Sequence, residues 1–364
     1  MDQEYIQRLS KIENEIERWL PKNSEPAVHA ENADWAENVF TGIVKKADPR
    51  SIKTLTAPLE DMMSRGGKRW RPLLMTLVCE TLGGGDAAIP LTPAVEFSHN
   101  ASLIHDDIED DSEERRGKPA IHKLYGLDTA INSGSFFYFL SSCCIENCGL
   151  KNKDQIFKLW MEYMRRLHLG QAIDISWHRD VSIIPEIDEY FLMCRMKTGS
   201  LARFAAELGA ITAGAFTDKA PPQEAVQMLG ETADMMGVGF QILDDVKNLT
   251  TGIPGKRRGD DITEGKKSLP ILMYINKYPE KRERVSYCFH VAKHEGTRAP
   301  EVEELIDNLT AAGIFAEAEE KAASLLSEIK KTIDTGISRM ADEGKITINE
   351  NSRNLLEGFV KLIS

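Results

Sequence analysis

Apolar residues recur at three- and four-residue spacing along almost the whole of this 364-residue chain. That spacing places them on one face of an α-helix, whereas a half-buried β-strand requires strict alternation of apolar and polar residues. No segment has a convincing alternation, and the sequence contains no internal repeat. The pattern therefore predicts an all-α fold.

The predicted helices are separated by short links that contain glycine or proline. The first helix carries Ile6 to Leu20 and ends at Pro21, and the second carries Trp35 to Ile43. The others are predicted at 52–63, 72–82, 93–110, 129–147, 153–174, 187–216, 224–248, 269–277, 282–294, 300–312, 314–340 and 350–363. No link is long enough to divide the chain. We therefore predict one domain over 1–364, with N-terminal helices over 1–50, functional motifs over 66–270 and C-terminal helices over 271–364.

Charge and cysteine content exclude several classes of function. The formal net charge of −12 at pH 7 argues against a nucleic-acid-binding surface. The six cysteines form no disulfide framework and no CxxC pair, which favours a reduced, cytoplasmic setting. The chain begins with a polar segment rich in Glu and Arg, and no apolar run is long enough to span a bilayer. We expect a cytoplasmic protein without a membrane span.

An acidic motif ends one of the apolar helices. The run 93–104 leads into Asp106, Asp107 and Asp110, and the four-residue spacing puts Asp106 and Asp110 on the same helix face. Like charges at that distance repel by roughly 3 kcal/mol at an effective dielectric near 20. The oxygen-only ligand set suits a hard divalent cation, with Mg²⁺ as first choice. A single motif of this kind is more often a solvated acidic helix end.

A second motif repeats this layout far downstream. An apolar helix ends in Asp244 and Asp245, and Asn248 supplies an amide oxygen at the fourth position after Asp244. Ligand and metal sites in helix bundles are built from side chains on facing helices. Two such motifs therefore predict two helices that face each other across a cavity, with metal ions between them.

Basic residues cluster beside glycine-containing breaks. The clusters lie at 66–72, 115–119, 197–199, 255–261 and 265–270. Arginine binds phosphate oxygens through two parallel hydrogen bonds, lysine supplies a point charge, and glycine lets the backbone approach an anion. Each cluster by itself is more often an exposed charge run. Their recurrence beside the aspartate motifs of an acidic protein indicates diphosphates bridged by Mg²⁺.

Together these motifs, from about Gly66 to Pro270, resemble those of the trans-isoprenyl diphosphate synthases, the polyprenyl synthetase family. The segment 99–110 is especially similar to geranylgeranyl diphosphate synthases of the eukaryotic type. The resemblance implies an antiparallel helical bundle around a central apolar tunnel, and a homodimer. It also implies a Mg²⁺-dependent trans-prenyltransferase of isoprenoid biosynthesis that joins isopentenyl diphosphate head-to-tail to dimethylallyl, geranyl or farnesyl diphosphate. Three Mg²⁺ ions per active site are expected when substrate is bound, with Mn²⁺ as an alternative.

The resemblance assigns roles to individual residues. The catalytic set that it implies is Asp106, Asp107, Asp110, Asp244, Asp245, Lys197, Lys256 and Lys266. The metal ligands that it implies are the five aspartates of that set and Asn248, a position where many family members have Asp. The remaining allylic-substrate positions are Arg115, Thr198 and Gln241. The isopentenyl diphosphate site comprises Gly67, Lys68, Arg71, His99 and Arg116, while Gln171 and Asp174 match an element beside the metals.

The length of the product depends on the floor of the tunnel. Ala101 and Ser102, five and four residues before Asp106, are small, so no aromatic side chain closes the tunnel at that level. The aromatic residues at 136–139 on the next helix are candidates for a deeper floor, and they are equally well explained as core residues. We predict a C20 product, geranylgeranyl diphosphate, with farnesyl (C15) or longer (C25 and above) diphosphates as alternatives.

Two other classes of protein remain as alternatives. A terpene cyclase or head-to-head synthase also uses aspartate motifs on a helical bundle, but would lack the second diphosphate pocket of Lys68, Arg71 and His99. A non-catalytic modulatory subunit typically loses the aspartates, whereas this chain keeps both pairs. These features favour a chain-elongating enzyme.

Overall fold

The computed structural model describes residues 3–21, 39–40, 48–217, 220–252 and 257–363. Helices form nearly all of this part of the chain, which confirms the predicted all-α fold. The helices are α1 (Gln3–Arg18), α2 (Pro49–Ser64), α3 (Trp70–Thr81), α4 (Thr92–Glu109), α5 (Ile121–Tyr125), α6 (Leu127–Glu146), α7 (Lys153–Arg179), α8 (Ile187–Cys194), α9 (Ser200–Gly214), α10 (Gln223–Thr250), α11 (Asp260–Glu264), α12 (Leu269–Lys277), α13 (Arg282–Glu295), α14 (Pro300–Ala311), α15 (Ile314–Asp342) and α16 (Glu350–Ile363).

The structure differs from the predicted helices at a few places. A π-helical turn, Arg195–Gly199, separates α8 from α9 where the apolar spacing predicts one helix over 187–216. The short helices α5 and α11 were not predicted, because five residues are too few to reveal a periodic pattern. A two-stranded antiparallel ribbon, β1 (Glu114–Arg115) and β2 (Lys118–Pro119), follows α4. The predicted helix of Trp35 to Ile43 lies outside the described residues except for the helical 39–40.

The chain divides into two compact units. Unit 1 comprises residues 1–159, 207–221 and 346–353, and unit 2 comprises residues 160–206, 222–345 and 354–364. The first aspartate motif belongs to unit 1 and the second belongs to unit 2. That the whole chain acts as one domain stays a prediction.

The core of unit 1 is built on helices that are apolar on nearly all sides. All residues of α3 are buried, as are the first seven residues of α4, which is typical of a helix inside a protein. Along α6, Phe137 stacks on Phe97 of α4 with ring centroids 5.0 Å apart. The hydroxyl of Ser98 donates to that of Ser141 at 3.1 Å. This packing fixes α4, and with it the aspartate motif at its end.

Terminal segments of the chain are bonded to the end of α3 in the same unit. Arg8 of α1 forms an ion pair with the buried Glu80, with Nη2 and Oε2 2.6 Å apart. The hydroxyl of Ser352 donates to the same carboxylate at 3.0 Å, and the backbone N–H of Asn349 donates to the carbonyl of Thr81 at 2.9 Å. Glu80 is therefore compensated by partners from both terminal segments.

Unit 2 is organised around α10 and α15. Glu224, near the start of α10, pairs with Arg339, near the end of α15, so the two helices run antiparallel. Val238, Ile242 and Val246 recur at four-residue spacing on α10 and enter a buried cluster with Ala318 and Ala322 of α15. The second aspartate motif lies at the end of this packed helix. Among the described helices, none combines the length and apolar character needed to cross a membrane.

Candidate active site

The three aspartates of the first motif have different surroundings. Asp106 and Asp110 are half-buried one turn apart, and the backbone N–H of Asp110 donates to the carbonyl oxygen of Asp106 at 2.9 Å. Asp107 is fully buried. Its Oδ1 accepts hydrogen bonds from Nε of Arg115, at 2.8 Å, and from Nη2 of the same guanidinium. Asp107 therefore fixes an arginine beside the other two carboxylates.

Arg115 and Arg116 are presented by the β1–β2 ribbon. Burial works against the charge of Arg115, but the carboxylates of Asp107, Asp106 and Asp110 outweigh that effect and raise the pKa of its guanidinium. Arg116 has a left-handed backbone, with φ of 56°, and donates to the carbonyl oxygen of Gly66. The ribbon thus directs two adjacent arginines to different partners within unit 1.

A second basic group of unit 1 surrounds His99. Nη1 of Arg71 lies 3.2 Å from Nε2 of His99, at hydrogen-bonding distance. The protein around the ring lowers the pKa of His99 well below its usual value, and the charges of Arg71, Arg116 and Arg115 lower it further. His99 is therefore neutral at pH 7, and its Nε2 is able to accept the hydrogen bond from Arg71.

Gly67 and Lys68 complete the predicted isopentenyl diphosphate residues. Gly67 has φ of +146°, and a Cβ at this position would lie 3.2 Å from Nη2 of Arg116, so glycine permits the close approach. Lys68 is exposed. The structure therefore brings Gly67, Arg116, Arg71 and His99 into one connected region.

Arg69 is a structural member of this region that the motifs did not single out. Its Nη1 donates to the buried Glu96 at 2.8 Å, and its Nε donates to Glu13 at 2.8 Å. Its backbone φ of 47° is left-handed, so the chain turns sharply before α3. Two ionic partners at such a turn hold the glycine-containing segment in place. The sequence offered no signal that separates this arginine from its basic neighbours.

In unit 2, the aspartates of the second motif divide in the same way as those of the first. Asp244 is half-buried, whereas Asp245 is buried. Asp245 accepts hydrogen bonds from the hydroxyl of Tyr190 at 2.7 Å, from Nε2 of Gln241 at 2.9 Å and from the backbone N–H of Leu269 at 2.9 Å. Burial raises the pKa of Asp245 to about 6, and these hydrogen bonds oppose the rise. Sequence reasoning missed Tyr190, which resembles any core aromatic in the periodic pattern.

Asn248 supports the turn that follows α10. Its side chain is buried, and its Oδ1 accepts a hydrogen bond from the backbone N–H of Asp261 at 3.2 Å. Its own carbonyl accepts from the N–H of Gly259 at 3.0 Å. The amide oxygen that the sequence offers to a metal is thus engaged with the start of α11. The metal role of Asn248 stays a prediction.

The predicted allylic-substrate residues of unit 2 meet at the π turn. Nζ of Lys197 donates to Oδ2 of Asp174 on α7 at 2.6 Å. Oγ1 of Thr198 donates to Oε1 of Gln241 at 2.9 Å, and Gln241 in turn bonds Asp245. The π turn is therefore hydrogen-bonded to α7 on one side and to the second aspartate motif on the other.

Three further predicted residues of unit 2 lie near these groups in the chain. Gln171 is half-buried on α7, one turn before Asp174. Nζ of Lys266 lies 2.8 Å from Oε2 of Glu264. Lys256 lies outside the described residues.

Lys267, next to Lys266, is buried although the motifs gave it no role. Its Nζ donates to the carbonyl oxygens of Trp177, at 3.0 Å, and Gly265, at 2.6 Å, and lies 4.4 Å from the ring centre of Phe289. Burial lowers the pKa of this lysine to about 8. Lys267 thereby ties the segment that carries Lys266 to the end of α7.

The donor set of both motifs is chemically suited to Mg²⁺, since all of its ligand atoms are oxygens. Within the described ranges, no three His, Cys, Asp or Glu side chains converge into a metal-holding group. Mg²⁺ commonly keeps several waters and takes one or two carboxylates together with substrate phosphates. The half-buried Asp106, Asp110 and Asp244 fit that mode better than Asp107, whose Oδ1 bonds Arg115, and Asp245, both of whose oxygens accept hydrogen bonds from the protein.

The aromatic residues of α6 lie at two levels. Phe137 stacks on Phe97, nine residues before Asp106 along α4 and therefore about 14 Å from it along the helix axis. Tyr138 instead stacks on His105, with ring centres 5.8 Å apart, directly before the motif. Tyr138 therefore lies beside the aspartates, and the prediction that it forms part of a deeper floor is wrong.

The known proteins that are similar to this chain in sequence are prenyl diphosphate synthases. Residues 52–309 match the family model described as Polyprenyl synthetase. A geranylgeranyl pyrophosphate synthase of Aspergillus flavus is 32% identical over 285 residues, which are 78% of this chain and 78% of that protein. A geranylfarnesyl diphosphate synthase of Aeropyrum pernix is 36% identical over 234 residues, or 62% of this chain and 71% of that protein.

Solved structures agree in architecture. A geranylgeranyl pyrophosphate synthase superposes with a TM-score of 0.78 at 23% identity, covering 100% of this chain and 98% of that one. A heptaprenyl diphosphate synthase from Staphylococcus aureus gives a TM-score of 0.76 at 23% identity, covering 99% and 97% of the two chains. At this identity the likeness concerns the fold alone. The named products of these relatives differ in prenyl chain length.

Proposed function

Because the chain belongs to the polyprenyl synthetase family of trans-prenyltransferases, we propose that it condenses isopentenyl diphosphate head-to-tail with an allylic diphosphate. The reaction depends on Mg²⁺, and geranylgeranyl diphosphate is the main product. The allylic primers are dimethylallyl, geranyl and farnesyl diphosphate. The reduced state of the six cysteines, all of which are free, supports a cytoplasmic location.

One observation carries the proposal: both aspartate motifs divide their carboxylates in the same way. Asp106 and Asp244 are half-buried, while Asp107 and Asp245 are buried and bonded to other residues. A solvated acidic helix end would not bury and fix its second aspartate, because an uncompensated buried charge is costly. The repetition of this arrangement supports two built sites for cations and diphosphate.

The aspartate motifs and the residues at the π turn act on the allylic diphosphate in this proposal. Asp106 and Asp110 of unit 1 would hold Mg²⁺, as would Asp244 of unit 2. When bound, the metal would supply positive charge to the diphosphate oxygens as the allylic C–O bond breaks. Lys197 and Lys266 add fixed positive charge where negative charge develops on the leaving diphosphate. Thr198 and Gln241 orient that group through their hydrogen-bonding side chains. Attack of the isopentenyl double bond on the allylic cation forms the new carbon–carbon bond and leaves a tertiary cation. Loss of a proton from that cation, with the released diphosphate as base, gives the elongated allylic product.

The residues of unit 1 hold the second substrate. The guanidinium groups of Arg71 and Arg116 donate paired hydrogen bonds to the oxygens of isopentenyl diphosphate in this proposal. Neutral His99 accepts from Arg71 and so restricts the orientation of its guanidinium. Holding the double bond of isopentenyl diphosphate against the allylic carbon removes much of the entropic cost of a bimolecular step. This second diphosphate pocket favours elongation over cyclisation.

A homodimer is part of the proposal. Leu127, Ile131 and Phe139 are exposed on α6, with side-chain exposures of 55%, 44% and 64%. Their spacing of four and eight residues places them on one face of the helix. An apolar helix face of this kind is suited to burial against a second copy of the chain.

The product ladder tests the proposal directly. Purified protein is incubated with Mg²⁺, labelled isopentenyl diphosphate and one of the C5, C10 or C15 primers, and the products are separated by chain length. A dominant C20 product that disappears with a chelator supports the reaction, its dependence on a divalent metal and the product length. A C15, C25 or longer product would refute the chain length alone. The absence of elongation from every primer would refute the enzyme activity and favour a modulatory subunit.

A further inference from the structure

The π turn Arg195–Gly199 places two functional residues in an unusual backbone. Lys197 and Thr198 lie inside it, between α8 and α9. A π turn carries one residue more than an α-helical turn, is rare, and is found frequently at functional sites. Such a turn requires packing partners that stabilise it, because regular α-helix is the lower-energy alternative for the same residues. The partners that fix this turn therefore control where Lys197 and Thr198 point.

Asp234 on α10 contacts both ends of the turn. Its side chain is fully buried, and its Oδ2 accepts a hydrogen bond from Nε of Arg195, the first residue of the turn, at 3.1 Å. Its Oδ1 is directed at Gly199, the last residue, where a Cβ would lie only 2.3 Å from that oxygen. One carboxylate thus fixes the start of the π turn electrostatically and its end by close packing.

Two more arginines surround the same carboxylate. Nη2 of Arg166 on α7 lies 3.4 Å from Oδ2 of Asp234, and Nη1 of Arg203 on α9 lies 3.7 Å from it. Asp234 is therefore an acceptor shared by α7, the π turn and α9. The carboxylate is fully buried while the three arginines are partly exposed, so loss of its charge removes the acceptor that links these elements.

The position of Asp234 along α10 links it to the second aspartate motif. Gln241 and Asp245 follow it by seven and eleven residues, two and three helical turns, so all three lie on one face of the helix. That face bonds Arg195 through Asp234 and Thr198 through Gln241. On the opposite side of the turn, a Cβ at Gly170 would lie 2.4 Å from the backbone nitrogen of Lys197, so α7 packs directly against the turn.

From these contacts we propose that Asp234 is a positioning residue for the allylic diphosphate site. It holds the π turn in the register that directs Lys197 to Asp174 and Thr198 to Gln241. It does not touch substrate, and its effect is transmitted through Arg195 and the backbone of the turn. The inference rests on the proposed function, which assigns Lys197 and Thr198 to the allylic diphosphate.

The variant Asp234→Asn tests this role because it preserves shape and removes the charge. We expect KM for geranyl diphosphate to rise by about tenfold, since small displacements of positioning groups cost one to two orders of magnitude. KM for isopentenyl diphosphate stays within twofold of the wild type. The matched control is Glu80→Gln, which removes another buried, arginine-bound carboxylate in unit 1 and leaves both KM values unchanged.

Circular dichroism and urea titration accompany the kinetics, and Arg195→Gln provides a second route if Asp234→Asn does not fold. Arg195 is 40% exposed, so its replacement disturbs the turn with less risk to folding. We expect the same selective rise in KM for geranyl diphosphate. Unchanged KM values in folded Asp234→Asn, or in folded Arg195→Gln when the first variant does not fold, overturn the inference, as does an equal rise for both substrates. A wild type that elongates nothing refutes the proposed function instead, and is seen before any variant is measured.

Discussion

The hydroxyl of Tyr190 donates a 2.7 Å hydrogen bond to Oδ2 of Asp245, the second aspartate of the second motif. Asp107, the second aspartate of the first motif, is held in a corresponding way by Arg115. In both motifs an acidic residue that looks equivalent to its neighbour is instead buried and fixed by other side chains. The aspartates are therefore expected to differ in what their replacement does.

Asp107→Asn and Asp106→Asn separate the two roles within the first motif. Asp107→Asn leaves Arg115 without its buried counter-charge, so we expect the free energy of unfolding to fall by about 3 kcal/mol. Asp106→Asn changes that free energy by less than about 1 kcal/mol, because its carboxylate is half-buried. It raises the Mg²⁺ concentration that is needed for half-maximal activity. Urea unfolding and Mg²⁺ titration of the rate measure the two effects. Equal loss of stability in both variants would contradict the division.

Tyr190→Phe removes one of the hydrogen bonds that keep Asp245 charged. The loss of a hydrogen bond to a buried charged group costs about 1–3 kcal/mol of unfolding free energy. The pKa of Asp245, already raised to about 6 by burial, should rise further, because the lost bond favours the charged form. Urea titrations at pH 7 give the change in stability. Tyr274→Phe, at a buried tyrosine of another core cluster, is the control and should unfold at nearly the wild-type urea concentration.

Lys267 should make stability increase with pH in the alkaline range. Its pKa is about 8 in the folded protein and has an ordinary value of 10.5. Between these values the unfolded chain binds a proton that the folded chain has lost, so the free energy of unfolding rises with pH. Below pH 8 both states are protonated and the contribution is flat.

Melting temperatures at pH 7 and pH 9.5 test this expectation. The melting temperature of the wild type, measured relative to that of Lys267→Met, should be higher at pH 9.5 than at pH 7, because methionine lacks the titrating group. Lys158→Met, at an exposed lysine of α7, should keep a constant difference from the wild type. If the melting temperatures of Lys267→Met and the wild type change by the same amount between pH 7 and pH 9.5, the expectation is refuted.

Phe137→Ala should lengthen the product. The stacked pair of Phe97 and Phe137 lies one turn beyond Ala101, counted from the aspartate motif. Truncation opens space there and costs about 3–5 kcal/mol of stability, so Phe137→Leu provides a milder variant. Tyr138→Ala, at the level of His105, is the matched control and should keep the wild-type ladder. If chromatography finds longer products only for Tyr138→Ala, the tunnel floor is at Tyr138 and not at Phe137.

Phe139→Glu should convert the proposed dimer to a monomer. Phe139 is the most exposed large apolar side chain of the described part of the chain, and a buried unpaired carboxylate at an interface is strongly unfavourable. Light scattering after size-exclusion chromatography measures the mass directly. Lys158→Gln, which also lowers the net charge by one unit but at an exposed position of α7, should leave the mass unchanged. A monomeric wild type would refute the dimer.

Much of the fold followed from local patterns. The longer helices largely lie where three- and four-residue apolar spacing predicts them, since each is long enough to bury one face. The spacing failed at Arg195–Gly199, because a π turn preserves helical periodicity on both sides and differs by a single inserted residue. It also failed for α5 and α11, which are too short to carry a pattern.

The chemistry of the site could be predicted from the sequence because the residues of each motif are close together in the chain. Asp106 with Asp110, and Asp244 with Asp245, are neighbours along one helix, so their spacing alone predicted clustered oxygen ligands. The chain order of residues could not reveal that Asp107 and Asp245 are buried, that Tyr190 bonds Asp245 from 55 positions away, or that Asp234 gathers arginines from three elements. Those facts depend on which helices pack together. Burial and long-range hydrogen bonds are properties of that packing, and they decide which of several identical side chains binds a substrate and which one holds the protein in shape.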